Sequence, residues 1–369
     1  MKIAYISTFY PYRGGIAQFN ALLYRQLELL GECRAITFSR QYPDLLFPGK
    51  TQMAGPEDNV DHIDSERLID TVNPLTWLKA AKSIAEWEPD ICITKFWLPY
   101  FAPSLGKILG KARKSGSKNI SIIDNAIPHE KRPGDMQLTK YFLKQNDVLV
   151  AMSSSVENDL RTLAPDKEIL RFPHPLYDHF HAPIEKELAR EKLGIPKDKT
   201  VLLFFGFIRK YKGLDLLLQA MPHLAEEYHL LIAGEPYGDF ADYDSIVKEH
   251  GLSERVTQMV HYISDQQVSE VFSASDIGAL PYRSATQSGI TAIAFHYGTP
   301  MLATDVGSLR ELIEPFGAGE IIPSATPDNI SKGLDTMKQK GLNSYGSGIQ
   351  EFREKYTWQK LAETIVAKS

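Results

Sequence analysis

"TVLLFFGFIRKYKGLDLL", residues 200–217, passes from an unbroken apolar run through two glycines into a leucine-rich helical pattern. A short continuous apolar run of this kind fits a strand covered on both faces, as in a parallel sheet. Between strand and helix stand Arg209, Lys210 and Lys212. Open α/β sheets bind ligands outside the carboxyl ends of their strands. These charges are therefore either solvated loop residues or wait for an anion.

Working outward, the same alternation recurs. Downstream come "HLLIAG", "VTQMVHYI", "DIGALPY", "PMLATDV" and "GEIIP"; upstream come "KIAYIST", "CRAITFS", "DICIT", "NISIID", "DVLVAMS" and "EILRFP". Helical patterns fill most of the gaps, which predicts mostly parallel sheets with helices on both faces. The pattern restarts after "AREKLGIPKDKT", residues 189–200, which reads as a charged linker with a short helix. The expected fold class is α/β with two doubly wound, Rossmann-like domains facing across a cleft. The expected domains are 1–190, 191–350 and a closing helix within 351–369 ("YTWQKLAETIVAK") that returns to the first domain. Residues 43–66 read as a long loop or irregular insertion.

The bulk properties narrow the function classes. A chain of 369 residues is too long for one compact core. Its net charge of −5 argues against general nucleic-acid binding. Cys33 and Cys92 lie in apolar, strand-like surroundings and read as buried thiols of a reducing compartment. "MKIAYISTFYPYRGG" breaks too early for a signal peptide and reads as a first strand. No apolar stretch approaches the ~20 residues of a membrane span. The expected location is the cytoplasm, with peripheral contact at the inner face of the membrane left open.

Two glycine-bearing strand exits stand out besides the opening segment. Gly14 and Gly15 precede the first helix, where backbone N–H groups and the helix dipole can meet an anion. They can equally make a tight turn and nothing more. In "DIGALPYRSATQSGITAIAFHYGTPMLATDVGSLRELI", residues 276–313, Thr286, Gln287, Ser288 and Gly289 lie at a helix N-terminus. Ser288 would serve there as a plain N-cap as well. Neither spacing is a P-loop or G-x-G-x-x-G, so ATPase and Rossmann dinucleotide readings lose support. Histidine, cysteine and carboxylate spacings form no metal motif. The aromatic stretch "FWLPYF", Phe96 to Phe101, is either core or a stacking surface for an acceptor.

Taken together, these segments resemble the GT-B glycosyltransferases, in particular the family-4-like retaining group. The resemblance rests on Gly14–Gly15, on Gly206, Lys212 and Gly213, on "HYISDQQVSEVFSASDIGALPY" and "GTPMLATDVGSLREL", and on the terminal "YTWQKLAE". It implies transfer of a sugar from a nucleotide-diphosphate sugar to an acceptor hydroxyl with retention, without metal or cofactor, by a hexosyltransferase-type enzyme. Polysaccharide or glycolipid assembly, with a sugar or lipid-linked acceptor, is the pathway it implies. The family's two diphosphate-binding cations correspond to Lys212 and, displaced from the position that Phe207 occupies, to Arg209. Gly206, Thr286, Gln287, Ser288 and Gly289 would complete the donor site with Gly14 and Gly15. The resemblance places His129 at the transferring sugar, with Asp124, Asn125 and Trp97 towards the acceptor. Asp305 and Glu311 resemble positions near the nucleotide. The usual Glu-x7-Glu pair is missing: Ala285 and Ile293 stand in its places. A GT-B-shaped binding or scaffolding protein with impaired catalysis is the alternative that this leaves.

Overall fold

A computed structural model describes residues 1–43, 52–55, 61–127, 132–176, 180–285 and 288–369. It divides into two compact units: Met1–Pro173 with Thr357–Ser369, and His174–Tyr356. Along the first stretch run β1 (Lys2–Ile6), α1 (Gly15–Glu28), β2 (Glu32–Arg40), β3 (Ser65–Asp70), α2 (Pro74–Trp87) and β4 (Ile91–Phe96). There follow α3 (Ala102–Lys114), β5 (Lys118–Ile123), α4 (Asp135–Lys144), β6 (Val148–Ala151), α5 (Ser154–Leu163) and β7 (Glu168–Arg171). The second unit holds α6 (Lys186–Leu193), β8 (Thr200–Phe205), α7 (Leu214–Ala220), β9 (Tyr228–Ala233), α8 (Ala241–Glu249), β10 (Val256–Met259) and α9 (Asp265–Ala274). It continues with β11 (Ile277–Leu280), α10 (Gly289–His296), β12 (Met301–Thr304), α11 (Leu309–Ile313), β13 (Gly319–Ile322), α12 (Pro327–Lys340) and α13 (Gly346–Lys355). The chain closes with α14 (Trp358–Val366).

The first unit's sheet has the order β3-β2-β1-β4-β5-β6-β7, and the second's β10-β9-β8-β11-β12-β13. Every strand pair is parallel. Both are Rossmann-like: the order reverses beside the first strand of each unit, between β1 and β4 and between β8 and β11. Such a switch point opens a crevice at the strand carboxyl ends, because neighbouring crossover helices leave to opposite faces. Central strands such as β4 and β9 are buried throughout, as strands covered by helices on both faces must be.

Two local differences from the sequence reading have physical causes. The strand β3, "SERLID", falls at the end of the expected 43–66 loop. Its charged residues conceal it, since it is an edge strand held by ion pairs to β2, Arg34–Glu66 and Arg40–Asp70. Residues 44–51 and 56–60 of that loop lie outside the described residues. The units part at Pro173/His174, upstream of the expected 190/191 boundary. Arg190 explains the shift: its guanidinium donates to Asp276 (2.6 Å), the Ala274 carbonyl (3.0 Å) and the Lys197 carbonyl (2.8 Å). The linker helix α6 is thereby fastened to the second unit.

At the chain's end, α13 belongs to the second unit and α14 to the first. Thr357 caps α14 by accepting from the Lys360 N–H, and Trp358 packs edge-on against Phe19 of α1, ring centroids 4.9 Å apart.

Candidate functional site

The second unit's switch point gathers the opening segment. β8 ends in Gly206, whose φ of +88° favours glycine. The chain then turns through Arg209 to Lys212, and Gly213 (φ +71°) starts α7. A side chain on Gly213 would run into the Pro281 carbonyl at the exit of β11, so the two exits approach through glycine. Arg283 ties them further. It donates to Asp215 in bidentate fashion (2.8 and 2.6 Å) and to the Lys210 carbonyl (2.7 Å), while its own N–H donates to the Tyr211 carbonyl (2.7 Å). On the other side, the Ile208 N–H donates to Glu235 O and the Tyr237 N–H to Ile208 O, continuing β8 alongside the exit of β9.

This frame folds Lys212 back over the strand end. Its Nζ lies 3.2 Å from where a Cβ on Gly206 would sit, and 5.8 Å from the Tyr282 ring centroid. Lys212 is 8% exposed, and among the described residues no carboxylate pairs with it. Burial, and secondarily the neighbouring Arg209, lowers its pKa to about 8. A buried cation without a counter-ion is costly. An anionic ligand would offset that cost. Arg209 is exposed, its guanidinium 4.3 Å from the Tyr237 ring centroid.

The exit of β11 leads to α10. Gly289 is its first residue and Ser288 holds the N-cap position, but the Ser288 hydroxyl caps nothing. Its Oγ, the Tyr282 hydroxyl and Thr291 Oγ1 are buried without a partner among the described residues. Burial pushes the Tyr282 phenol up, and Ser288 beside it offsets this only in part, without the geometry of a formed hydrogen bond. Ser153, Ser264 and Thr326 do satisfy a helix N–H at their N-caps, whereas Ser308 before α11, like Ser288, does not. Thr286 and Gln287 lie outside the described residues. Ile293 is buried within α10. Asp305 pairs with Arg310 at 2.8 Å, which holds its carboxyl below the usual range.

In the first unit, Gly14 (φ +103°) precedes α1, and among the described residues no side chain caps that helix. A methyl group on Gly14 or Gly15 would meet no described residue within 4 Å, so among the described residues the space over this N-terminus is open. Asp124 and Asn125 follow β5. Sequence reasoning missed the partner of Asp124: Lys95 of β4, whose Nζ donates to Asp124 Oδ1 at 2.6 Å and lies 3.5 Å from the Phe19 ring centroid. A lysine inside "DICITKF" breaks the apolar run, the one signal that pointed to it. Burial lowers the Lys95 pKa and Asp124 opposes that. Trp97 is 7% exposed and donates through Nε1 to the Tyr42 hydroxyl (3.0 Å), inside an aromatic cluster with Phe101. His129 lies outside the described residues. No three His, Cys, Asp or Glu come together as a metal site among the described residues.

Comparison with solved structures matches this two-sheet architecture throughout. Sucrose-phosphate synthase from Thermosynechococcus elongatus superimposes with a TM-score of 0.71 at 16% identity, over 100% of this chain and 98% of that one. Anabaena HepE in complex with UDP-glucose gives 0.71 at 14% identity, over 100% of both chains. The chain has the GT-B glycosyltransferase fold. Within this GT-B chain, residues 185–353 match the family model described as "Glycosyl transferases group 1". The D-inositol 3-phosphate glycosyltransferase of Stackebrandtia nassauensis is 27% identical over 259 residues, 66% of this chain and 57% of that one. The GT-B chain spans about half the length of the curated relatives it matches.

Proposed function

We propose that this protein transfers a sugar, with retention, from a nucleotide-diphosphate sugar to an acceptor hydroxyl, in polysaccharide or glycolipid assembly. The observation that carries the proposal is the buried ammonium of Lys212, unpaired among the described residues, at the switch point of the sheet whose unit matches the glycosyltransferase model. Support for the donor class comes from HepE, whose structure was solved with UDP-glucose.

The chemical demand is negative charge building on the departing diphosphate. Lys212 and Arg209 would neutralise that charge. The N–H groups that open α10 would donate to phosphate oxygens, and the partnerless Ser288 and Thr291 hydroxyls to polar groups of the donor. The donor-side role of Thr286 and Gln287 and the sugar-side role of His129 belong to this proposal too. On the first unit, the open N-terminus of α1 at Gly14–Gly15 offers further N–H donors to an anion, and Asp124 and Asn125 offer acceptors to a hydroxyl. The cationic residues take the place of a divalent metal, so the reaction is proposed as metal-independent and without cofactor, as a hexosyl transfer in the cytoplasm.

Incubation with a panel of nucleotide-sugars tests the reading. Slow hydrolysis or transfer, abolished by Lys212→Ala, supports it. A scaffold, favoured by Ala285 and Ile293 in place of carboxylates, would bind donor without turnover. Loss of one transition-state donor costs about 10²–10³ in turnover.

A further inference from the structure

On the first unit, α2, α3 and α4 pack side by side over one face of the sheet. They enclose a surface groove of about 410 Å³, lined by Trp77 and Leu78 of α2, Pro103 and Lys107 of α3, and Leu138 and Tyr141 of α4. Gly106 shapes it. A Cβ there would come 2.5 Å from the Tyr141 ring, so the missing side chain lets that ring lie across α3. Next to the groove, Leu75 is 74% exposed and Leu78 50%. Single exposed leucines are ordinary, but a grouped set at a groove marks an interaction surface.

The helices around this apolar set are mainly basic. Together α2, α3 and α4 carry eight Lys or Arg and two acidic residues, in a chain whose net charge is −5. Lys82 is paired with Glu86 and Arg113 with Asp147. Lys107 and Lys111, one turn apart on α3, have no acidic partner among the described residues.

We propose that this face docks on the surface of an anionic lipid bilayer. Leu75, Leu78 and Tyr141 would enter the boundary between headgroups and acyl chains, and Lys107 and Lys111 would meet lipid phosphates. A second copy of the chain fits less well, because a two-fold contact would bring the lysines face to face. Lysine is also depleted in protein interfaces, whereas it favours anionic membranes. Pro74 and Pro103 stand in the first turns of α2 and α3, so the groove lies at the carboxyl end of this unit's strands, the end that carries Lys95 and Asp124. A lipid-linked acceptor held at the bilayer would therefore present its headgroup at that end of the sheet. Only this last clause rests on the proposed transfer activity.

Co-sedimentation of the full chain with vesicles tests the docking. Vesicles of phosphatidylcholine with phosphatidylglycerol should bind the protein, and phosphatidylcholine alone should bind it much less. Lys107→Ala with Lys111→Ala should weaken binding by about tenfold or more, at about fivefold per basic residue. Leu75→Ser with Leu78→Ser should weaken it as well, with an unchanged melting temperature because both side chains are exposed. Leu188→Ser, 46% exposed on α6, should change nothing. Equal binding to neutral vesicles, no binding, or binding indifferent to both double variants would overturn the proposal. So would a dimer in ultracentrifugation that Leu75→Ser with Leu78→Ser dissolves, if vesicles are not bound. Vesicle binding needs no nucleotide, so its failure and the failure of the donor-site reading are separate results.

Discussion

Lys95 Nζ and Asp124 Oδ1 are 2.6 Å apart, with the lysine side chain 3% exposed and the aspartate 15%. The pair joins the carboxyl ends of β4 and β5, beside the first unit's switch point. An ion pair buried to this degree depends on both members, since removal of one leaves an uncompensated charge. Asp124→Asn or Lys95→Met should each lower unfolding free energy by roughly 3–5 kcal/mol, measured by urea denaturation. The double variant Lys95→Met with Asp124→Asn should lose less than the sum of the two. Additive losses would mean that the two groups do not act as a pair.

Lys212 predicts a pH signature. Its folded pKa is about 8 against a reference of 10.5. The unfolded chain therefore binds the extra proton between pH 8 and 10.5, and stability due to this group rises with pH across that window. Below it the charged lysine costs roughly 3 kcal/mol. Lys212→Met removes the titration, so the stability difference between wild type and variant should shrink from pH 8 to pH 10. A diphosphate reverses the sign by favouring the ammonium, and its affinity should fall as pH rises through 8.

The glycines separate space from strain. Gly15→Ala meets no described residue within 4 Å and has no left-handed φ, so stability should stay within about 0.5 kcal/mol. Turnover should nonetheless fall if an anion or substrate fills the open space there. Gly213→Ala must displace the Pro281 carbonyl from a φ of +71°, and should cost more than the ~1–2 kcal/mol of left-handed strain alone. Thermal melts alongside donor hydrolysis distinguish the two cases.

Asp215 and Arg283 tie the exits of β8 and β11, with side chains 25% and 35% exposed. Asp215→Asn should cost about 1 kcal/mol of stability. If the tie positions Lys212, donor affinity should fall by more than that modest loss accounts for, measured by calorimetric titration.

Much of this was legible in the chain. Apolar runs such as "VLLFF" and "ICIT" announce buried parallel strands because both faces are covered, and Gly213 marks the close approach to Pro281. What escaped was held by charge. β3 is an edge strand whose alternation is masked by ion-paired residues, and Lys95 acquires meaning only when β5 brings Asp124 beside it. Arg190 likewise looks like linker surface until Asp276, in a distant segment, folds against it. The idle Ser288 hydroxyl is also invisible in sequence, where a serine before a helix reads as a cap.

The central claim is that Lys212 exists to hold a diphosphate, and calorimetric or thermal-shift titration of wild type and Lys212→Met with a panel of nucleoside diphosphates tests it most directly. At least one diphosphate should raise the melting temperature of the wild type. Lys212→Met should be no less stable without ligand, since it replaces a buried charge by an apolar side chain, and should lose the ligand-induced rise. A full rise in the variant, or none with any nucleotide in the wild type, would contradict the claim.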